Sequence, residues 1–202
     1  MSCSSLYGIN KKYIGKELCE YRNSWWFSPV IWRILADKYL PRIEGRIQDI
    51  IGLNGDEVWN KINNIMNNSN NTLDRICWEM SNQQIFFTKD KKCIANNIHK
   101  FIEQNKEYDD FVLQREHIIE RFNEIANDIK SLDENEHPYF VFKNTSCDDN
   151  VEYWFYEYNE ENDECVDKSL KEWDKLIAEF VVIENDKIIN FISNLDYKYE
   201  EN

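Results

Sequence analysis

Five glycines and three prolines are spread over 202 residues. Tight turns and left-handed backbone draw on Gly, and abrupt chain stops draw on Pro. Their scarcity argues against collagen-like, linker-rich or turn-dense all-β designs. A hydrophobic content of 42%, with 14% aromatics, still permits a sizeable core and rules out wholesale disorder. The expectation is one compact domain over 1–202 of the α+β class. It should be predominantly α-helical with a small antiparallel β-hairpin or sheet.

Hydrophobic periodicity places the elements. Ser2–Ile9 reads as a short strand. Ser28-Pro29 reads as an N-cap followed by the first helical residue, where a missing N–H costs nothing, and the helix should run to Leu40, before Pro41. Ile43, Ile47, Ile50 and Ile51 repeat at helical spacing, and after Asn54-Gly55 so do Val58, Trp59, Ile62, Ile65 and Met66. Thr72–Ser81 and Cys93–Gln104 read as helices, with Gln84–Thr88 a short strand between them. The strongest pattern is Tyr108–Leu132, where Phe111, Arg115, Ile118, Phe122, Ile125, Ile129 and Leu132 alternate steps of four and three. Tyr139–Lys143 and Val151–Tyr158, both β-branched and aromatic, form the expected hairpin. Leu170, Trp173, Leu176, Ile177 and Phe180, then Ile188, Ile189, Ile192 and Leu195, read as two closing helices.

Charge is distributed unevenly. The formal net charge is −14, yet residues 1–106 carry +4 (15 basic, 11 acidic) and residues 107–202 carry −18 (9 basic, 27 acidic). Asp133–Asp167 holds 12 carboxylates and a single base, Lys143, interleaved with eight aromatic residues. An acidic surface repels the phosphate backbone, so direct nucleic-acid binding is disfavoured. A field of one sign attracts the opposite sign, and desolvated aromatic anchors tighten an interface. The residues that would meet a partner are Asp148, Asp149, Glu152, Trp154, Tyr156, Glu157, Tyr158, Glu160 and Glu161. A plain solvated, solubilising face is the competing account of the same carboxylates.

No catalytic or metal motif stands out. The sequence lacks C-x-x-C, H-E-x-x-H, an EF-hand loop, a G-x-S-x-G elbow and a phosphate-binding glycine loop. Asp109-Asp110 and Asp148-Asp149 are paired acids of a kind an acidic chain produces by chance. His99, His117 and His137 have no motif around them, and Asp90-x-Lys92 lacks the rest of a nuclease site. Trp25-Trp26-Phe27 and Trp32 read as core around a helix entrance. No cofactor, metal ligand or catalytic residue is therefore assigned.

No apolar run approaches the roughly 18 residues of a membrane span, and Met1–Asn10 lacks a signal-peptide pattern. Cys3, Cys19, Cys77, Cys93, Cys147 and Cys165 are evenly scattered rather than set in a disulfide framework. A reduced, cytoplasmic protein is expected. Seventeen lysines against seven arginines, with abundant Asn and Ile, fit an AT-rich genome such as that of a low-GC bacterium or its phage. The functional expectation is a non-enzymatic acidic protein that binds and blocks a basic nucleic-acid-processing protein, in the manner of a DNA mimic. A phage or mobile-element anti-defence inhibitor (anti-CRISPR-like or anti-restriction-like) that occludes a cationic groove would have this character. The alternatives are an immunity protein neutralising a cognate toxin, and a hydrolase or nuclease with an unrecognised carboxylate site.

Overall fold

A computed structural model describes residues 2–41, 55–108, 114–144 and 153–197. A six-stranded mixed sheet organises it, which corrects the expectation of a mainly helical chain carrying a small hairpin. Strands β1 (Cys3–Ile9), β2 (Gly15–Arg22), β3 (Ile85–Phe87), β4 (Tyr139–Lys143), β7 (Glu179–Glu184) and β8 (Lys187–Ser193) lie in the order β2-β1-β4-β3-β7-β8. All neighbours are antiparallel except β3 and β7, which run parallel. Strands β5 (Tyr156–Asn159) and β6 (Glu164–Asp167) form a separate two-stranded ribbon.

The helices are α1 (Ser28–Tyr39), α2 (Gly55–Asn67), α3 (Thr72–Ser81), α4 (Lys91–Asn105) and α5 (Arg115–Ser131). They pack on one face of the sheet. Pro29 opens α1 in its first turn, and Pro41 holds Leu40 extended (φ −111°, ψ 145°), so the helix stops there. The expected N-cap at Ser28 is displaced by one residue: Phe27 caps the helix without a side-chain bond. The long helix begins at Arg115 rather than Tyr108, with Ile118, Phe122, Ile125 and Ile129 buried as the spacing required. Phe122 meets Phe27 at 4.6 Å and Phe101 at 6.2 Å between ring centroids. The isoleucine run at 43–51 lies outside the described residues.

Side-chain alternation divides the core into two layers. Leu6, Phe86, Phe140, Phe142 and Val181 point to the helices. Tyr7, Ile9, Ile85, Val141 and Phe180 point to the opposite face, where Tyr13, Phe155, Leu170 and Ala178 cover them. A strand buried on both faces reads as an unbroken apolar run, and Tyr139–Lys143 is such a strand. It pairs with β1 and β3 in the middle of the sheet, not with 151–158 as a hairpin.

The two closing helices are likewise replaced. Leu170–Glu172 is a single 3-10 turn, Trp173, Leu176 and Ile177 follow in irregular chain, and Phe180, Ile188, Ile189 and Ile192 belong to the antiparallel pair β7–β8. The turn that joins them uses Asn185 (φ 49°) and Asp186 (φ 59°) in the left-handed region. That is the geometry of a two-residue hairpin turn, which Asn and Asp tolerate without glycine. Tyr13, Asn23, Gln83 and Asp163 also hold positive φ. Low glycine content therefore did not exclude a turn-rich sheet.

Among the described residues no helix is long and apolar enough to cross a membrane. The described cysteines Cys3, Cys19, Cys77, Cys93 and Cys165 are free thiols.

Candidate functional site: an acidic ribbon

The ribbon grows from a firmly held base. Phe155 is buried and stacks on Tyr7 with centroids 5.4 Å apart. It lies so close to Gly15 that a Cβ there would fall 2.5 Å from its ring, so only glycine fits at that point of β2. Across the base, the Lys168 N–H donates to the Phe155 carbonyl (2.8 Å) and the Leu170 N–H to the Tyr13 carbonyl (3.1 Å). Ser169 donates its hydroxyl to the Lys12 carbonyl (2.8 Å) and caps the following turn reciprocally with Glu172.

Beyond this base the ribbon stands clear of the sheet. Tyr156 pairs with Asp167, Glu157 with Val166, Tyr158 with Cys165 and Asn159 with Glu164. Asn159 accepts the Glu161 N–H on its side-chain oxygen (2.9 Å), which shapes the tip, and Asp163 takes φ 54° to close it. The Tyr158 hydroxyl donates to the Asp163 carboxylate. That bond raises the phenol above its ordinary pKa, with a smaller contribution from desolvation.

Between Tyr153 and Glu172 the chain carries seven carboxylates and two lysines. All seven carboxylate residues are exposed. Lys168 lies 3.4 Å from Glu157 and offsets one of them. An open hollow of about 550 Å³ lies along the ribbon, lined by Glu157, Glu160, Glu161, Asp167 and Glu172 together with Tyr158. Tyr158 and Val166 are about half exposed, at 49% and 51%, so apolar surface is offered beside the charge. This is the mixture that a cationic protein surface can both attract and dehydrate.

The expected partner-facing residues separate into three groups. Tyr156, Glu157, Tyr158, Glu160 and Glu161 are brought together on the ribbon. Trp154 is turned inward: its side chain packs against the Tyr7 and Phe155 layer, and the Lys143 ammonium packs on its ring, while its carbonyl accepts the Trp173 indole N–H (2.9 Å). Asp148, Asp149 and Glu152 lie outside the described residues. The sequence reading missed Asp163, Glu164, Val166 and Asp167 as members of the site. Their signal was an Asn162-Asp163 turn between two short stretches of equal length.

Elsewhere several polar groups hold the fold. Asp74, almost fully buried, accepts from Lys38 (2.6 Å) and Asn71 (2.8 Å) and so ties α1 to α3. Glu79 is 3% exposed, and burial pushes its carboxyl up to about 8, against the lowering influence of Arg75. The histidines sit apart on different partners: His99 bonds Asn123 (2.8 Å), His117 stacks on Trp26 (5.0 Å) and His137 packs against Gly8. Among the described residues no group of three or more His, Cys, Asp or Glu is placed to hold a metal ion. No family model, curated protein or solved structure matches this chain.

Proposed function

We propose that the protein binds and blocks a basic protein, of the kind whose cationic groove handles nucleic acid, through the β5–β6 ribbon. The observation that carries this reading is the ribbon itself: a two-stranded projection, separate from the main sheet, with exposed carboxylates set around Tyr158 and Val166. Carboxylates at the tip take the place of phosphates in the groove, and the phenol and valine supply the apolar contact that charge alone lacks. The net charge of −14 assists encounter with a cationic target and keeps nucleic acid away. An anti-defence inhibitor that occludes such a groove would work in this way.

The test is charge reversal. The triple variant Glu157→Lys, Glu160→Lys, Glu161→Lys should keep its circular dichroism spectrum, because all three side chains are exposed. Immobilised wild type should retain a basic nucleic-acid-binding protein from host lysate, release it as salt rises, and compete with DNA or RNA for it once purified. The reversed variant should retain none. Equal retention by the two proteins, or a retained partner that still binds its nucleic acid, overturns the reading.

A further inference from the structure

An open sheet edge invites pairing with another chain, and proteins normally block it. Each edge of the six-stranded sheet carries a bulge and one arginine bond to an outward carbonyl. At β2, the Arg121 guanidinium donates to the outward Arg22 carbonyl (2.7 Å). The pairing of Leu6 with Cys19 and Tyr7 with Glu17 leaves Leu18 as an extra, bulged residue. At β8, Arg75 donates to the Ile188 carbonyl (3.2 Å), and the register leaves Ile189 bulged in the same manner.

The ribbon edge at β6 is treated differently. The bond from the Lys168 N–H to the Phe155 carbonyl fixes the alternation of the ladder. The pairs Glu157–Val166 and Asn159–Glu164 then face inward, while Cys165 and Asp167 turn their N–H and C=O groups outward. All four residues of β6 are exposed, and its register is regular. Among the described residues nothing caps these groups.

We infer that β6 is a docking edge, on which an extended segment of the basic partner adds as a third, antiparallel strand. This rests on the function proposed above and specifies how the partner is held. Main-chain bonds to Cys165 and Asp167 would give affinity, and side chains beside β6 would give selectivity. Glu164 and Asp167 lie on opposite faces of the ribbon, with Val166 beside Glu164 on one of them. The incoming strand therefore places a basic residue opposite Asp167, an apolar one opposite Val166 and a second basic one opposite Glu164. Read along the partner, the pattern is basic, apolar, any residue, basic. A second copy of this chain is a poor occupant, because each copy carries a net charge of −14 and would bring a second set of exposed ribbon carboxylates to the edge.

The probe is the blocked peptide Thr-Lys-Val-Thr-Lys-Thr, titrated into isotopically labelled full-length protein and followed by NMR, which reads weak binding. Its control carries methyl groups on the amide nitrogens of the first Lys and the middle Thr, the two that would donate to β6. The expected result is saturable shifts along β6, slowed hydrogen exchange at Cys165 and Asp167, and at least tenfold weaker binding of the methylated peptide. Equal binding of the two peptides overturns strand addition but leaves charge-driven partner binding standing. Absence of shifts with both peptides also overturns strand addition, while the charge-reversal capture independently decides the wider function.

Discussion

Tyr13 holds a left-handed backbone at φ 64°, and its hydroxyl lies 2.9 Å from that of Tyr139 on the aromatic face of the sheet. The two rings also stack, with centroids 5.1 Å apart. A bulky residue accepts positive φ only where its surroundings compensate for the strain. Here the compensation comes from burial of the ring among Tyr139, Phe180 and Tyr197. Tyr13→Phe should cost about 1 kcal/mol, the worth of one hydrogen bond. Tyr13→Ala should cost about 3–5 kcal/mol by emptying the site. Urea unfolding of the two variants checks the ratio, and equal losses would show that the hydroxyl rather than the ring anchors the loop.

The β7–β8 turn gives a second prediction. Asn185 sits at φ 49°, where a β-branched residue is strained. Asn185→Val should destabilise by roughly 1–2 kcal/mol, whereas Asn185→Gly should be neutral or slightly stabilising. Thermal melts of the pair are sufficient, since for about 200 residues each kcal/mol moves Tm by about 2–4 °C. A valine variant as stable as wild type would exclude this turn geometry.

At the foot of the ribbon, Gly15→Ala should drive a methyl group into the Phe155 ring. Overpacking of this kind costs roughly 1–3 kcal/mol. Adding Phe155→Leu should recover part of the loss, so the double-mutant cycle should show a favourable coupling between the two substitutions. Strict additivity would mean that ring and glycine do not touch in solution.

Glu79 links pH to stability. Its folded carboxyl titrates near 8 because burial disfavours the charged form, against a value of 4.5 for an ordinary glutamate. A raised folded pKa means that the native state holds the proton more tightly. The resulting stability is fully present below pH 4.5, falls between 4.5 and 8, and is lost above that window. Glu79→Gln should match wild type near pH 4 and exceed it at pH 9 by roughly 3–5 kcal/mol, from about 1.36 kcal/mol per pKa unit. Parallel pH profiles for the two proteins would place Glu79 in contact with water.

Much of the helical layer was legible from the sequence. Pro29 and Pro41 bracket α1, and the spacing of Ile118, Phe122, Ile125 and Ile129 marks the buried stripe of α5. The sheet was less visible. Leu170, Trp173, Ile177 and Phe180 share the aromatic side of the sheet although they do not share a helix, so their spacing imitated one. Hairpin turns at Asn185-Asp186 and around Asp163 lack the glycine that usually announces them. The long-range partners of Tyr139–Lys143 depend on tertiary pairing with Leu6 and Phe86, which local pattern does not encode.

The ribbon's charge and its Tyr158 were visible from composition and alternation. Its pairing was not, because Val151–Tyr158 and Tyr139–Lys143 are near neighbours in sequence, and adjacent strands usually pair. Trp154 is expected to face a partner, whereas its side chain packs against the aromatic layer beneath the Lys143 ammonium.

The arginines that bond to the sheet edges come from helices, Arg121 from α5 and Arg75 from α3. During refolding, strands that assemble before those helices dock have both margins bare. Such a species is the one prone to stick to its own kind. The yield of native protein at high concentration should therefore rise with dilution or slow removal of denaturant, which gives the two helices time to reach the sheet.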